Sequence, residues 1–170
     1  MNVFDNIVGA KHVVAESSLL KATEVGHILS MKCQKDLDNG SIVTRGDWIE
    51  AQVYKTADYA AGKKPYLVLT PPIGYNSDRR SYQDECYFYN ATGEVARCYE
   101  LHVDDIFTVS ADAITALATD PVVGNYVSVD GGLYKEAAAA GTSGFVAQIV
   151  EKVNYTNSVS YRLHVVSLGA

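Results

Sequence analysis

Two apolar, β-branched runs, residues 66–70 and 99–110, bracket a polar, tyrosine-rich excursion. Runs of this composition suit buried strands, whose branched and aromatic side chains pack on a pleated surface. The excursion carries Pro71-Pro72, Asn76, the pair Arg79-Arg80 and Asn90. A small domain that keeps so long a connection generally uses it, and nothing in this one has catalytic chemistry. Contact with another macromolecule is the expectation.

The same punctuation recurs along the chain. Residues 28–34 read as a strand, and Asp38-Asn39-Gly40-Ser41 as a turn built from residues that tolerate positive φ. Ile42-Val43 opens a further strand, Gly46-Asp47 reads as a second turn, and residues 48–54 alternate. Pro71-Pro72 stops the strand at 66–70, because neither residue can donate to a ladder. Residues 85–89 read as a short strand or a packed loop, and 94–99 continues into 101–110 with a kink at Asp104-Asp105.

The Ala-rich stretch 111–119 is the best helical candidate, with Ser110 or Asp112 as its cap and Pro121 as its stop. Residues 126–129 and 133–135 around Asp130-Gly131-Gly132 predict a hairpin, and 136–140 suits helix or loop. A second hairpin is expected from 145–153 and 159–168. About nine strands with one or two short helices predict a mainly β fold, an antiparallel sandwich or a partly open barrel. Residues 1–27 are expected to form an extended N-terminal arm or edge segment, and 28–170 a single β-rich domain.

At 170 residues with 48% hydrophobic and 20% charged residues, the chain has enough apolar material for a core without staples. Its net charge of −6 argues against coating nucleic acid, which requires a basic face. Arg79-Arg80 and Lys63-Lys64 fall short of a phosphate-binding stripe. No apolar run approaches the ~20 residues of a membrane span, and Met1–Asp5 lacks the start of a secretory signal. Synthesis in a cytoplasm is therefore expected. Cys33, Cys86 and Cys98 are odd in number and widely spaced, which predicts free thiols rather than disulfides or a zinc knuckle. Twelve Tyr against one Trp and four Phe reflect either β propensity or a tyrosine-rich interface.

Motifs for chemistry are sparse. His12, His27, His102 and His164 are scattered, none in the spacing of a helical zinc site. On a strand, His102 and Asp104 would share a face and Asp105 would point away, and charges at a strand end explain the trio better than a metal does. Asp36-Leu37-Asp38-Asn39-Gly40 lacks the ligand spacing of a calcium loop. Asp84-Glu85 and Asp104-Asp105 are adjacent pairs, which on a strand point apart and so do not form an acid–base pair by themselves. No catalytic, cofactor or metal residues are assigned, and an enzyme is not expected.

Several segments, in order, resemble the head decoration (capsid auxiliary or cement) proteins of tailed bacteriophages. They are Asp38-Asn39-Gly40-Ser41 with Gly46-Asp47, residues 66–76, and 100–110 (ELHVDDIFTVS), followed by 121–129 (PVVGNYVSV) and 145–152 (FVAQIVEK). The resemblance covers residue 38 to the C-terminus and departs in the first thirty residues and the aromatic cluster at 82–89. It implies a virion structural protein, without cofactor, on the outer surface of the capsid, bridging copies of the major capsid protein. It also implies self-association, a homotrimer with dimer or monomer as alternatives. Tyr75, Arg79, Arg80 and Tyr82 of the loop, with Val13 and Val14 of the arm, are the expected partner-facing residues. Trp48 reads equally as anchor or core. The rival readings are a virion-displayed carbohydrate-binding or adhesin module, or another head or tail structural protein, and then a small β-fold enzyme.

Overall fold

The computed structural model describes residues 11–72, 84–156 and 158–169. The fold is mainly β. Strands β1 (Ala15–Leu19), β7 (Ile106–Ser110), β8 (Ile114–Thr115), β9 (Tyr126–Asp130), β10 (Leu133–Ala137), β11 (Val146–Tyr155) and β12 (Ser158–Ser167) form a seven-stranded sheet. Their order is β1-β7-β12-β11-β9-β10-β8, with β8 parallel to β10 at one edge. Strands β2 (Ile28–Lys32), β3 (Ile42–Glu50), β4 (Val53–Asp58), β5 (Tyr66–Val68) and β6 (Val95–Glu100) close into a barrel in the order β2-β4-β3-β5-β6. The barrel is closed rather than partly open: β2 pairs parallel with β4 on one side and antiparallel with β6 on the other. A five-residue helix, α1 (Lys21–Val25), links β1 to β2 and ends at Gly26, whose φ is 74°.

Period-two alternation divides the apolar side chains between two cores. Val43, Tyr66, Val68, Ala96 and Cys98 point into the barrel, where they meet Met31, Cys33 and Leu37. Their strand neighbours Ile42, Leu67 and Tyr99 point the other way, into the larger core beneath the seven-stranded sheet. That core centres on fully buried aromatics: the Tyr134 ring is 6.1 Å from Phe107 and 6.2 Å from Phe145, both tilted. Tilted aromatic pairs add about 0.5–1.5 kcal/mol each beyond simple burial. Val13, Ala15, Leu20 and Ala22 complete the same core, so residues before β2 are packed into it. Cys33, Cys86 and Cys98 are free thiols, and burial pushes the Cys33 thiol up to about 11.

The Asn39-Gly40 turn joins barrel and sheet. Gly40 has φ 89°, its N–H donates to Val68 O at 2.8 Å, and its carbonyl accepts the buried Tyr134 hydroxyl at 2.7 Å. The Asn39 amide brackets Thr70, donating to its carbonyl at 2.9 Å and accepting from its N–H at 3.0 Å. Two residues on, Ile42 N–H donates to Gly132 O at 2.7 Å.

Two expected elements are corrected. Gly46-Asp47 is no turn: β3 runs through it, and the chain reverses at Ala51, with φ 44°. A Cβ on Gly46 would lie 3.0 Å from the Lys55 carbonyl, so glycine serves close strand approach beside the irregularity between Arg45 and Trp48. The Ala-rich stretch gives one 3-10 turn, Ala111–Ala113, and then the short strand β8. Nine residues nucleate a helix poorly, and tertiary contacts decide the outcome. The kink at Asp104-Asp105 separates two sheets: β6 closes the barrel while β7 lies inside the large sheet, with Asp104 at φ 74° between them. Residues 85–87 form a 3-10 turn, capped where Asp84 Oδ1 accepts the Cys86 N–H at 3.0 Å.

Tyr134→Phe should lower unfolding stability by about 1–2 kcal/mol, because it leaves the buried Gly40 carbonyl without its donor. Gly40→Ala should cost about 1–3 kcal/mol, since its Cβ would meet Ala15 Cβ and Val109 Cγ1 at 3.2 Å as well as straining φ. Urea unfolding midpoints of the two variants check both values.

Candidate functional site

Of the residues singled out from the sequence, Tyr75, Arg79, Arg80 and Tyr82 lie outside the described residues. Val13 and Val14 are buried at 4% and 3% exposure, and Val14 exchanges backbone and side-chain bonds with Ser110. Their apolar surface is taken up within the chain, so they do not present an exposed face to a partner. Trp48 resolves the other way. It is 62% exposed on the β3–β4 hairpin, with its indole N–H donating to Ala51 O at 3.0 Å. The Arg45 guanidinium lies 5.0 Å from the Tyr54 ring centre on the same hairpin.

A second exposed apolar group lies on the segment between β8 and β9, where Leu117, Val122 and Val123 face solvent. Glu136 of β10 holds this segment from beneath. Its buried carboxylate accepts Leu117 N–H at 2.8 Å on one oxygen, and Val122 N–H at 2.8 Å and Asn125 Nδ2 at 2.7 Å on the other. Burial alone would raise the Glu136 carboxyl, but the three donors outweigh it and hold the group below the usual carboxylate range. Backbone N–H groups that would otherwise start a helix or bind water are thereby committed, and the apolar side chains are held outward. Sequence reading missed this clamp, because Glu136 sits in an Ala-rich stretch that gives no sign of its partners.

The histidines divide into three places. His12 pairs with Asp38 at 2.7 Å and stacks on Tyr89, and His164 lies 3.3 Å from Asp104. His27 and His102 converge on Glu100, at the end of β6 where the chain leaves the barrel. His27 Nδ1 is 3.3 Å from Glu100 Oε2, and His102 Nε2 is 3.8 Å from Oε1. Lys64 Nζ donates to Oε1 at 2.8 Å and the Tyr66 hydroxyl to Oε2 at 3.2 Å. Burial opposes the Glu100 charge, yet the hydrogen bond and charge of Lys64, with His27 and Tyr66, keep its carboxyl below the ordinary range. The Tyr66 phenol is correspondingly pushed up to about 12, first by burial and then by the Glu100 charge.

The trio His102, Asp104 and Asp105 does not act as one group. Asp104 turns to His164, while Asp105 is buried and accepts Lys21 N–H at 2.9 Å and His102 N–H at 2.7 Å. The sequence reading grouped His102 with Asp104 and Asp105 and did not bring in Glu100, which meets His102 just past the end of β6. The arrival of His27 and Lys64 was not legible either.

Among the described residues, no helix is long and apolar enough to cross a membrane. Comparison with protein-family models, with curated proteins and with solved structures finds no match.

Glu136→Gln should lower stability at neutral pH by about 2–3 kcal/mol, because an amide NH₂ must face an N–H donor. A carboxyl lowered by folding contributes stability above its unfolded value, about 4.3, and loses it as pH falls through the folded value. The gap between wild type and variant should therefore narrow progressively below about pH 4, as measured by thermal unfolding across pH.

Proposed function

We propose that this chain is a virion structural protein of the head decoration type. It binds the outer surface of a tailed-phage capsid and stabilises the shell by bridging major capsid proteins. The observation that carries the reading is the clamped segment between β8 and β9. Three apolar side chains, Leu117, Val122 and Val123, stand in solvent on a backbone fixed by the buried Glu136 carboxylate. Exposed apolar groups on a preordered backbone suit a binding surface, because little conformational entropy is lost on docking. This segment includes Pro121-Val122-Val123-Gly124-Asn125, part of the stretch that resembles the decoration proteins.

A ligand that binds the assembled shell and not its fragments stabilises the shell by mass action. Modest contacts repeated by capsid symmetry then combine into high avidity. Self-association as a trimer would multiply the contacts of each unit further, and Arg79 and Arg80 would serve as anchors.

A second reading, a glycan-binding module displayed on the virion, draws on Trp48. An indole exposed on a strand hairpin beside the Arg45–Tyr54 pair offers a flat face on which sugar rings stack.

Co-sedimentation with purified heads lacking the protein separates these readings. Wild type should saturate the heads and raise their resistance to heat. Leu117→Asp with Val122→Asp should reduce occupancy at least tenfold without loss of the protein's own stability, and Arg79→Ala with Arg80→Ala should weaken binding. Absence of wild-type protein from the pelleted heads defeats the capsid reading. Glycan-array binding that disappears in Trp48→Ala supports the second.

A further inference from the structure

We propose that His27, Glu100 and His102 form a binding site for a transition-metal cation of the zinc class, independent of any capsid contact. Their ligand atoms all lie within 4.8 Å of one another. Zinc bonds of about 2.0–2.2 Å place neighbouring ligand atoms roughly 3–3.5 Å apart. The 3.3 Å separation of His27 Nδ1 from Glu100 Oε2 already meets that spacing. His102 Nε2 lies 3.8 Å from the other carboxylate oxygen, Oε1, so a cation held by both histidines takes Glu100 through both oxygens or draws the rings inward. His27 is 55% exposed, so its ring can rotate without disturbing the core.

An independent observation concerns the far side of the His102 ring. Its Nδ1 is buried without a hydrogen-bond partner, 3.9 Å from Asp105 Oδ2. Asp105 is held in place by the Lys21 and His102 backbone N–H groups. Metal-binding imidazoles generally donate their second N–H to a carboxylate, which fixes tautomer and ring angle. Turning His102 Nε2 onto a cation commits the proton to Nδ1, beside the Asp105 carboxylate. The orphaned nitrogen thus acquires a role.

The site carries its own competitor. The Lys64 ammonium occupies Glu100 Oε1 at 2.8 Å on a side chain that is 71% exposed, so it can swing into water when a metal arrives. Glu100 and Asp105 then offset the divalent charge. Two imidazoles and one carboxylate favour zinc, nickel or copper over calcium or magnesium, which prefer all-oxygen shells. Three protein ligands leave a coordination position for water. A bound cation would tie the start of β2, the end of β6 and the crossover to β7 at one point.

Calorimetric titration of the full chain with ZnCl₂ tests the assignment, together with a thermal melt. Binding of one Zn²⁺ per chain with a raised melting temperature is expected. His27→Ala and His102→Ala should each lose affinity at least tenfold, and both should fold, because the bond to Asp105 uses the His102 backbone. Lys64→Met should bind severalfold more tightly, since its tethered cation is gone. Wild-type affinity in His27→Ala or in Lys64→Met overturns the site, and so does loss of binding in His12→Ala or His164→Ala instead.

Discussion

The Tyr134 hydroxyl bond to the Gly40 carbonyl, at 2.7 Å in a fully buried setting, is the contact on which the two halves of the fold depend. A turn buried between two sheets has backbone groups that water cannot reach, and each must find a partner within the protein. Asn39, Gly40 and Ile42 find theirs on both sides: Thr70 and Val68 at the barrel, Tyr134 and Gly132 at the sheet. Ala15 and Val109 at 3.2 Å and Val13 at 3.4 Å then crowd the place where a Cβ on Gly40 would stand. Barrel and sheet are therefore parts of one packing problem, with the larger core drawing Ile42, Leu67 and Tyr99 from barrel strands.

Buried carboxylates do a comparable job at the loops. Glu136 fixes the segment before β9, and Asp105 fixes both the first turn of α1 and the crossover into β7. Glu100 gathers Lys64, Tyr66 and His27 where β6 ends. An ionised carboxylate taking several N–H donors repays its desolvation and leaves a rigid connection. These three connections are each held by a single acidic side chain. That gives the exposed side chains of those segments, Leu117 and Val122 among them, defined positions from which to meet a partner.

Much of the strand plan was legible, because alternation and turn residues are local signals. The Asp130-Gly131-Gly132 hairpin and the Asn39-Gly40 turn both occur, the latter with Gly40 at φ 89°. The misreadings have one origin. Gly46 was taken as a turn because glycine marks turns, whereas here it admits the Lys55 carbonyl at close range. The Ala-rich 111–119 stretch has helical propensity, yet strand pairing with β10 and the Glu136 clamp capture its backbone. Such outcomes depend on residues far along the chain, which no local window contains.

Composition and periodicity by themselves determined that this chain is built mainly of strands, since that follows from residue type and nearest neighbours. Only tertiary structure decided that the strands divide into a closed barrel and an open sheet. It likewise buried Val13 and Val14, turned Trp48 outward and brought His27 to Glu100 across 73 residues of sequence. The physical reason is the same in each case: burial and hydrogen-bond satisfaction are settled by pairs of residues distant in sequence, and their energies outweigh local propensities.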